Sequence, residues 1–344
     1  LSYTTPQPYF GTTFDYDELE GSAYRLTGLP YFSPQPHSTL DELKVVVRVV
    51  QEGLRGGVML LDSSNGRFYP EVIACAVLAL LPRRRRASIA LAGDMWQPNT
   101  GLRSLLEQAI IRLADRSIAR YFVFSSEEIT LFPRMWGIDA SKMRHLPYFA
   151  SLTPEELAEP EPPQGHHVFA GGNANRNYRP LVEAARRLPD VEFVLATRRL
   201  DQVVNPPPNV RAGPITHAEF VRLMRSAAVV VVPIRSDLQR ASGQQTYLNA
   251  MLLGKPVIVS QVFGLDDHVR NGVDALVVDG SAASYEAALR WVLDPVNASA
   301  VAALRHAAHE AVCQRHTFAH YLQRLQALMA ELAAEHQAAQ HRTG

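Results

Sequence analysis

The chain has 344 residues, enough for two domains of ordinary size. It is 47% hydrophobic and 20% charged, the composition of a soluble globular protein, with no apolar run long enough to span a bilayer and no secretory leader read at its start. The formal net charge is +0, which argues against nucleic acid as a partner.

Residues 1–40 are rich in Tyr, Phe, Pro and Thr without a clear period, and read as an irregular arm that opens on Leu1, as a trimmed chain would. From residue 39 an α/β rhythm begins, with helices predicted over 39–54, 71–81, 102–119 and 127–136. The strands between them are predicted over 58–61, 88–92, 121–124 and 144–147. Alternation of this kind implies a parallel sheet covered on both faces, with sites beyond the carboxyl ends of the strands. Asp62-Ser63-Ser64-Asn65, Gly93-Asp94-Met95-Trp96 and Ser125-Ser126 therefore share one rim. Residues 153–165 are acidic and Pro-rich and read as a linker.

A second α/β domain follows over 166–315. Its first strand, 167–170, runs into Gly171-Gly172-Asn173-Ala174-Asn175-Arg176-Asn177, with a helix over 180–188. Strands are expected at 191–196, 210–212 and 228–232, and Thr216 caps a helix over 217–226. Ser242-Gly243 leads into a helix near Gln244, Gln245 and Thr246, which ends at Gly254, and Val257-Ile258-Val259 is a strand. The free N–H groups and positive dipole end of that helix start favour a bound phosphate. Residues 297–315 and 318–340 are helical.

The stretch NAMLLGKPVIVS, together with GLDDHVRNGVDALVVDG, resembles the core of GT-B-fold glycosyltransferases of the family-four, group 1 type. The resemblance covers the second half well and the first half in outline. It implies two Rossmann-like domains facing across a cleft, the first (1–152) binding an acceptor and the second binding a nucleotide-diphosphate sugar. The helix of 316–344 then either crosses back to the first domain, as the resemblance implies, or forms a plain tail.

By that resemblance the donor phosphates lie on Gln244, Gln245 and Thr246, with Ser242 and Gly243 leading in. Arg176 stands at the family's phosphate-binding lysine, beside Gly172 and Asn173. The family's paired glutamates fall on Ala241 and Asn249, so Asn249 would hold the ribose through neutral, weaker bonds, while Ala241 can touch no hydroxyl. Arg198, Gly213-Pro214 and Ile215 are placed near the base. Asp94 either orients or deprotonates an acceptor hydroxyl, or caps a turn. Trp96 is a core residue or a sugar-stacking one.

The expected function is transfer of a sugar to an acceptor hydroxyl of a glycan, a lipid-linked sugar or a small molecule. Retention of configuration is implied by the resemblance, and no cofactor or metal is required. The alternative is a GT-B-like protein that binds nucleotide sugar or a partner without transfer. An epimerase or a nicotinamide dehydrogenase fits less well, for want of a His–acid cluster or a Gly-x-Gly-x-x-Gly after a strand.

His37, His145, His217 and His268 have no metal spacing and read as surface or capping residues. Cys75 and Cys313 read as reduced core thiols. Asp15-Tyr16-Asp17 resembles the metal-binding motif of the other glycosyltransferase fold but follows no buried strand. Arg83, Arg84, Arg85 and Arg86 form a solvated loop or a weak contact with an anionic membrane. Location is expected to be cytoplasmic, with the inner membrane face as the variant.

Overall fold

The computed structural model describes residues 25–26, 39–62, 69–93, 96–97, 101–160, 162–163 and 165–341. The chain divides into two compact units, Leu1–Pro147 with Tyr321–Gly344, and Tyr148–His320.

The first unit runs β1 (Arg25–Leu26), α1 (Thr39–Gly53), β2 (Val58–Asp62), α2 (Pro70–Leu78), β3 (Ser88–Ala92), α3 (Leu102–Asp115), β4 (Ile118–Val123), α4 (Glu128–Trp136) and β5 (Met143–His145). Its sheet has the order β1-β2-β3-β4-β5, every pair parallel. Alternate strand residues (Met59 and Leu61, Ile89 and Leu91, Tyr121 and Val123) pack with Val72, Cys75, Phe132 and Trp136 into one core. β1 lies inside the segment read as an irregular arm. It has two residues, Arg25 and Leu26, held by register with Met59 and Leu60 and too short to carry a period. α2 stops before the expected end because the chain turns at Pro82 into a 3-10 turn over Arg83–Arg85. α3 is also shorter than expected, because β4 already starts at Ile118.

The second unit runs α5 (Pro154–Ala158), β6 (Val168–Gly171), α6 (Arg179–Arg186), β7 (Phe193–Ala196), β8 (Val210–Gly213), α7 (His217–Ser226), β9 (Val229–Val232), α8 (Gln244–Leu252), β10 (Val257–Ser260), β11 (Leu276–Val278), α9 (Ala282–Leu293) and α10 (Ala298–Arg315). The sheet order is β11-β10-β9-β6-β7-β8, all parallel. β9 is Val-Val-Val-Val and wholly buried, as a central strand covered on both faces must be. Each such valine contributes about 1.5–3 kcal/mol on leaving water. Residues 153–165, read as a linker, belong to this unit. Thr153 makes a capping box with Glu156 at the start of α5, and Arg225 of α7 donates to the carbonyls of Glu156 and Glu159, each at 2.7 Å.

The last helix, α11 (Phe318–His341), returns to the first unit from Tyr321 onward. Leu325, Met329 and Leu332 are buried along it. His336 Nδ1 meets Ser88 Oγ at 2.8 Å, Glu335 pairs with Arg120, and Glu331 pairs with Arg144 at 3.1 Å. Among the described residues, no helix is long and apolar enough to cross a membrane.

Candidate nucleotide-sugar site

In the second unit the strand order reverses direction between β6 and β9, which are neighbours although two strands separate them in sequence. A crevice opens at such a reversal, beyond the carboxyl ends of the strands. The loops leaving β6 and β9 are zipped together there. Arg176 forms an antiparallel bridge with Ile234, Asn177 N–H donates to Pro233 O at 2.8 Å, and Arg235 N–H to Asn175 O at 3.0 Å. This pairing keeps Arg176 out of a helix. α6 starts at Arg179, one residue before the expected 180, after Asn175 has taken a left-handed conformation with φ 57.

Arg176 is 5% exposed. Its Nε donates to Gly171 O at 3.2 Å, Nη1 to Ala174 O at 3.0 Å and Nη2 to Thr246 Oγ1 at 3.0 Å. These acceptors are neutral, and a guanidinium has five N–H donors. Burial pulls its pKa below the usual value. Arg176 is therefore a buried cation held by carbonyls and a hydroxyl and not a surface residue.

Gly172 lets the guanidinium in. Its φ is +118, and a Cβ there would stand 2.9 Å from Arg176 Nη2. Gly172 O accepts from Tyr178 Oη at 2.7 Å and from Thr197 Oγ1 at 3.1 Å. Burial raises the Tyr178 pKa, so the phenol keeps its proton.

Thr246 lies in the first turn of α8. Gly243, with φ +76, is the N-cap, and its carbonyl accepts from Thr246 N–H at 3.0 Å and Tyr247 N–H at 3.2 Å. The N–H groups of Gln244 and Gln245 precede the first such bond. Ser242 Oγ accepts from Asn175 Nδ2 at 3.2 Å, which ties this lead-in to the β6 loop. Gly172, Arg176, Ser242, Gly243 and Thr246 are thus brought together.

Asn173 and Arg198 are also neighbours. Asn173 Oδ1 accepts from Arg198 N–H at 2.7 Å and Thr197 Oγ1 at 3.3 Å, while the Arg198 side chain is exposed. Ile215 is 38% exposed beyond the end of β8, in the strand order the farthest of the named residues from β9.

Asn249 and Gln245 point elsewhere. Asn249 Oδ1 accepts Ser151 N–H at 2.7 Å, Asn249 Nδ2 approaches Ser151 Oγ at 3.4 Å, and Gln245 Nε2 donates to Ser151 Oγ at 2.7 Å. Both amides therefore hold the chain entering this unit. Ala241 is buried at 1%.

Asp94 lies outside the described residues, as do Met95, residues 63–65, Asp15-Tyr16-Asp17 and His37. Trp96 is a core residue: it is 4% exposed, its ring stands 5.1 Å from Tyr69 and 5.8 Å from Phe132, and its carbonyl accepts from Trp136 Nε1. His268 is not a surface residue, because it is buried at 2% with Nδ1 at 3.2 Å from Tyr247 Oη. Cys313 is exposed and only Cys75 is a core thiol, its pKa pushed up to about 12, chiefly by burial. Among the described residues no group of three His, Cys, Asp or Glu is placed to hold a metal ion.

Thr197, Tyr178 and Ser151 were missed by sequence reasoning. Asn175 carried a signal, since Asn in a Gly-rich turn tolerates the left-handed region. The others become visible only through contacts between distant parts of the chain.

Residues 166–294 match the family model described as Glycosyl transferases group 1. The likeness to group 1 glycosyl transferases thus spans most of the second unit. Three solved structures carry the likeness over both units. Sucrose-phosphate synthase from Thermosynechococcus elongatus has TM-score 0.67 and 18% identity, covering 90% of this chain and 83% of that one. HepE of Anabaena in complex with UDP has TM-score 0.65 and 16% identity, covering 86% and 85%. WaaG, a glycosyltransferase involved in lipopolysaccharide biosynthesis, has TM-score 0.57 and 13% identity, covering 86% and 97%. At these identities the likeness fixes the fold, which is GT-B. No curated protein matches the chain by sequence.

Proposed function

We propose that the chain transfers a sugar from a nucleotide-diphosphate sugar to an acceptor hydroxyl, and that the donor's phosphates sit between the α8 N-terminus and Arg176. The observation that carries this reading is the buried guanidinium of Arg176, which among the described residues meets neutral acceptors alone and is bonded to Thr246 in the first turn of α8. A buried cation without a carboxylate is costly, and a diphosphate would supply the missing charge. Helix N–H groups and an arginine fork are suited to stabilising the charge that grows on a departing diphosphate. One solved relative, HepE of Anabaena, has structures in complex with UDP and with UDP-glucose, which supports a uridine donor among those to try first.

A second reading, binding without transfer, is favoured by Ala241 and by the engagement of Asn249 with Ser151. The two separate in one experiment. Thermal shifts with UDP, GDP, ADP and TDP sugars report binding by mass action. Release of free nucleotide from the sugar that binds, with and without a panel of glycan and lipid-linked acceptors, reports turnover. Binding with turnover supports transfer, and binding without any turnover supports the second reading. No shift with any sugar overturns both.

A further inference from the structure

A cavity of about 480 Å³ lies wholly within the first unit, where α2, α3 and α4 hand over to β3, β4 and β5. Its wall includes Ser88 and Ile118, the first residues of β3 and β4, and Lys142 just before β5. α11 closes one side through Leu332 and His336. This is the amino end of the sheet, opposite the carboxyl rim where Gly93 and Ser125 lie.

The wall is basic, and its cations fall into two groups. Arg120 is paired with Glu335, and Lys142 with Asp115 at 3.0 Å. Arg86 is 6% exposed and stitches two helix ends, donating to Leu78 O at 2.9 Å and Arg116 O at 2.7 Å. Carbonyls at helix C-termini suit a cation, so Arg86 is a structural post. Arg83 and Arg116 are different. Both are exposed, and among the described residues the side chain of neither has a hydrogen-bond or ion-pair partner. Arg86 thus sets two unpaired guanidinium groups beside a third, buried one, around a partly open hollow. The four consecutive arginines of the sequence are not one solvated run: Arg86 turns inward, Arg83 joins the cavity wall, and Arg85 is outside it.

We infer that this cavity is a binding site for a phosphate-bearing anion, held by Arg83 and Arg116. Planar guanidinium forks recognise phosphate oxygens in pairs. Concave walls concentrate the field of several like charges. Ser88 Oγ and the Ser141 hydroxyl stand on the same wall as further polar groups. The site is independent of the donor reading, since it shares no residue with the switch point of the second unit. The phosphate belongs to a soluble phosphorylated molecule or to a lipid headgroup.

The test uses the full chain with sodium pyrophosphate in titration calorimetry at fixed ionic strength, and compares wild type with the double variant Arg83→Ser/Arg116→Ser. Both residues are exposed, so the variant folds, which its circular dichroism and melting curve confirm. Saturable binding by wild type, weakened about tenfold or more in the variant, is expected, because each charge-assisted bond lost carries roughly that factor. Binding that survives in the double variant but vanishes in Arg176→Lys overturns the cavity site and leaves the donor site standing. In a second arm, vesicles of phosphatidylcholine and phosphatidylglycerol are floated with each protein. Wild-type flotation that is lost in the variant and competed by pyrophosphate supports the site with a headgroup as its source. Pyrophosphate binding without flotation supports it with a soluble ligand. Flotation indifferent to pyrophosphate, or no binding in either arm, overturns it.

Discussion

Arg176 Nη2 donates to Thr246 Oγ1 at 3.0 Å, joining the loop after β6 to the first turn of α8 across 70 residues of sequence. Both partners are buried, so the bond is shielded from competing water. Thr246→Val keeps the shape and removes the acceptor. The expected cost is about 1–3 kcal/mol, because a buried guanidinium N–H is left unsatisfied. Urea denaturation measures it, and affinity for a bound nucleotide sugar should fall in parallel. An unaltered urea midpoint would mean the bond contributes nothing.

Gly243 carries a second prediction. With φ +76, an added Cβ would stand 2.5 Å from Ile234 Cδ1. Gly243→Ala should therefore cost more than the roughly 1–2 kcal/mol of a left-handed alanine alone. It should also disturb the α8 start and weaken nucleotide binding beyond what lost stability explains. Titration at a temperature where the variant is fully folded separates the two effects.

Much of the architecture could be read from residue pattern. β3 spans the expected 88–92, α7 spans the expected 217–226 with Thr216 as its cap, and the all-valine β9 is central. These are strong local signals: a β-branched run, a side-chain cap, an amphipathic period. The start of α6 falls within one residue of the expected 180, whereas the bridge between Arg176 and Ile234 joins loops distant in sequence and has no local signal. The surroundings of the candidate site were the least legible. Asn249 was expected, from the resemblance, to hold the ribose, but its partner Ser151 lies 98 residues away, and no spacing rule connects them. The burial of Arg176 was also hidden, because burial follows from the packing of α8 and not from neighbours in sequence.

Asn249 is expected to act on stability before it acts on any ligand. Asn249→Ala removes the acceptor of Ser151 N–H and should cost about 1–3 kcal/mol. Asn249→Asp keeps an oxygen there and should retain most of the stability. Equal denaturation midpoints for the alanine variant and wild type would place the side chain outside this contact.

A pH dependence follows from His167. It is 7% exposed, and Nε2 lies 3.1 Å from Leu223 O. Burial holds its pKa below the ordinary 6.5, opposed by the Leu223 carbonyl. The unfolded chain therefore takes up this proton first as pH falls. The contribution is fully present above pH 6.5 and is lost as pH falls from there through the depressed folded value. His167→Gln should flatten the stability profile below that point, read by urea midpoints across the range. A profile as steep as wild type would assign the loss to other groups.

The first unit is written in two pieces, with the whole of the second between them. On the ribosome, residues up to 147 emerge long before the segment bearing Leu325, Met329 and Leu332 exists. The amino-terminal piece must wait, incomplete, while its neighbour is synthesised, and it gains its closing helix only afterwards. A nascent chain halted at residue 320 would hold a finished second unit and an unfinished first one.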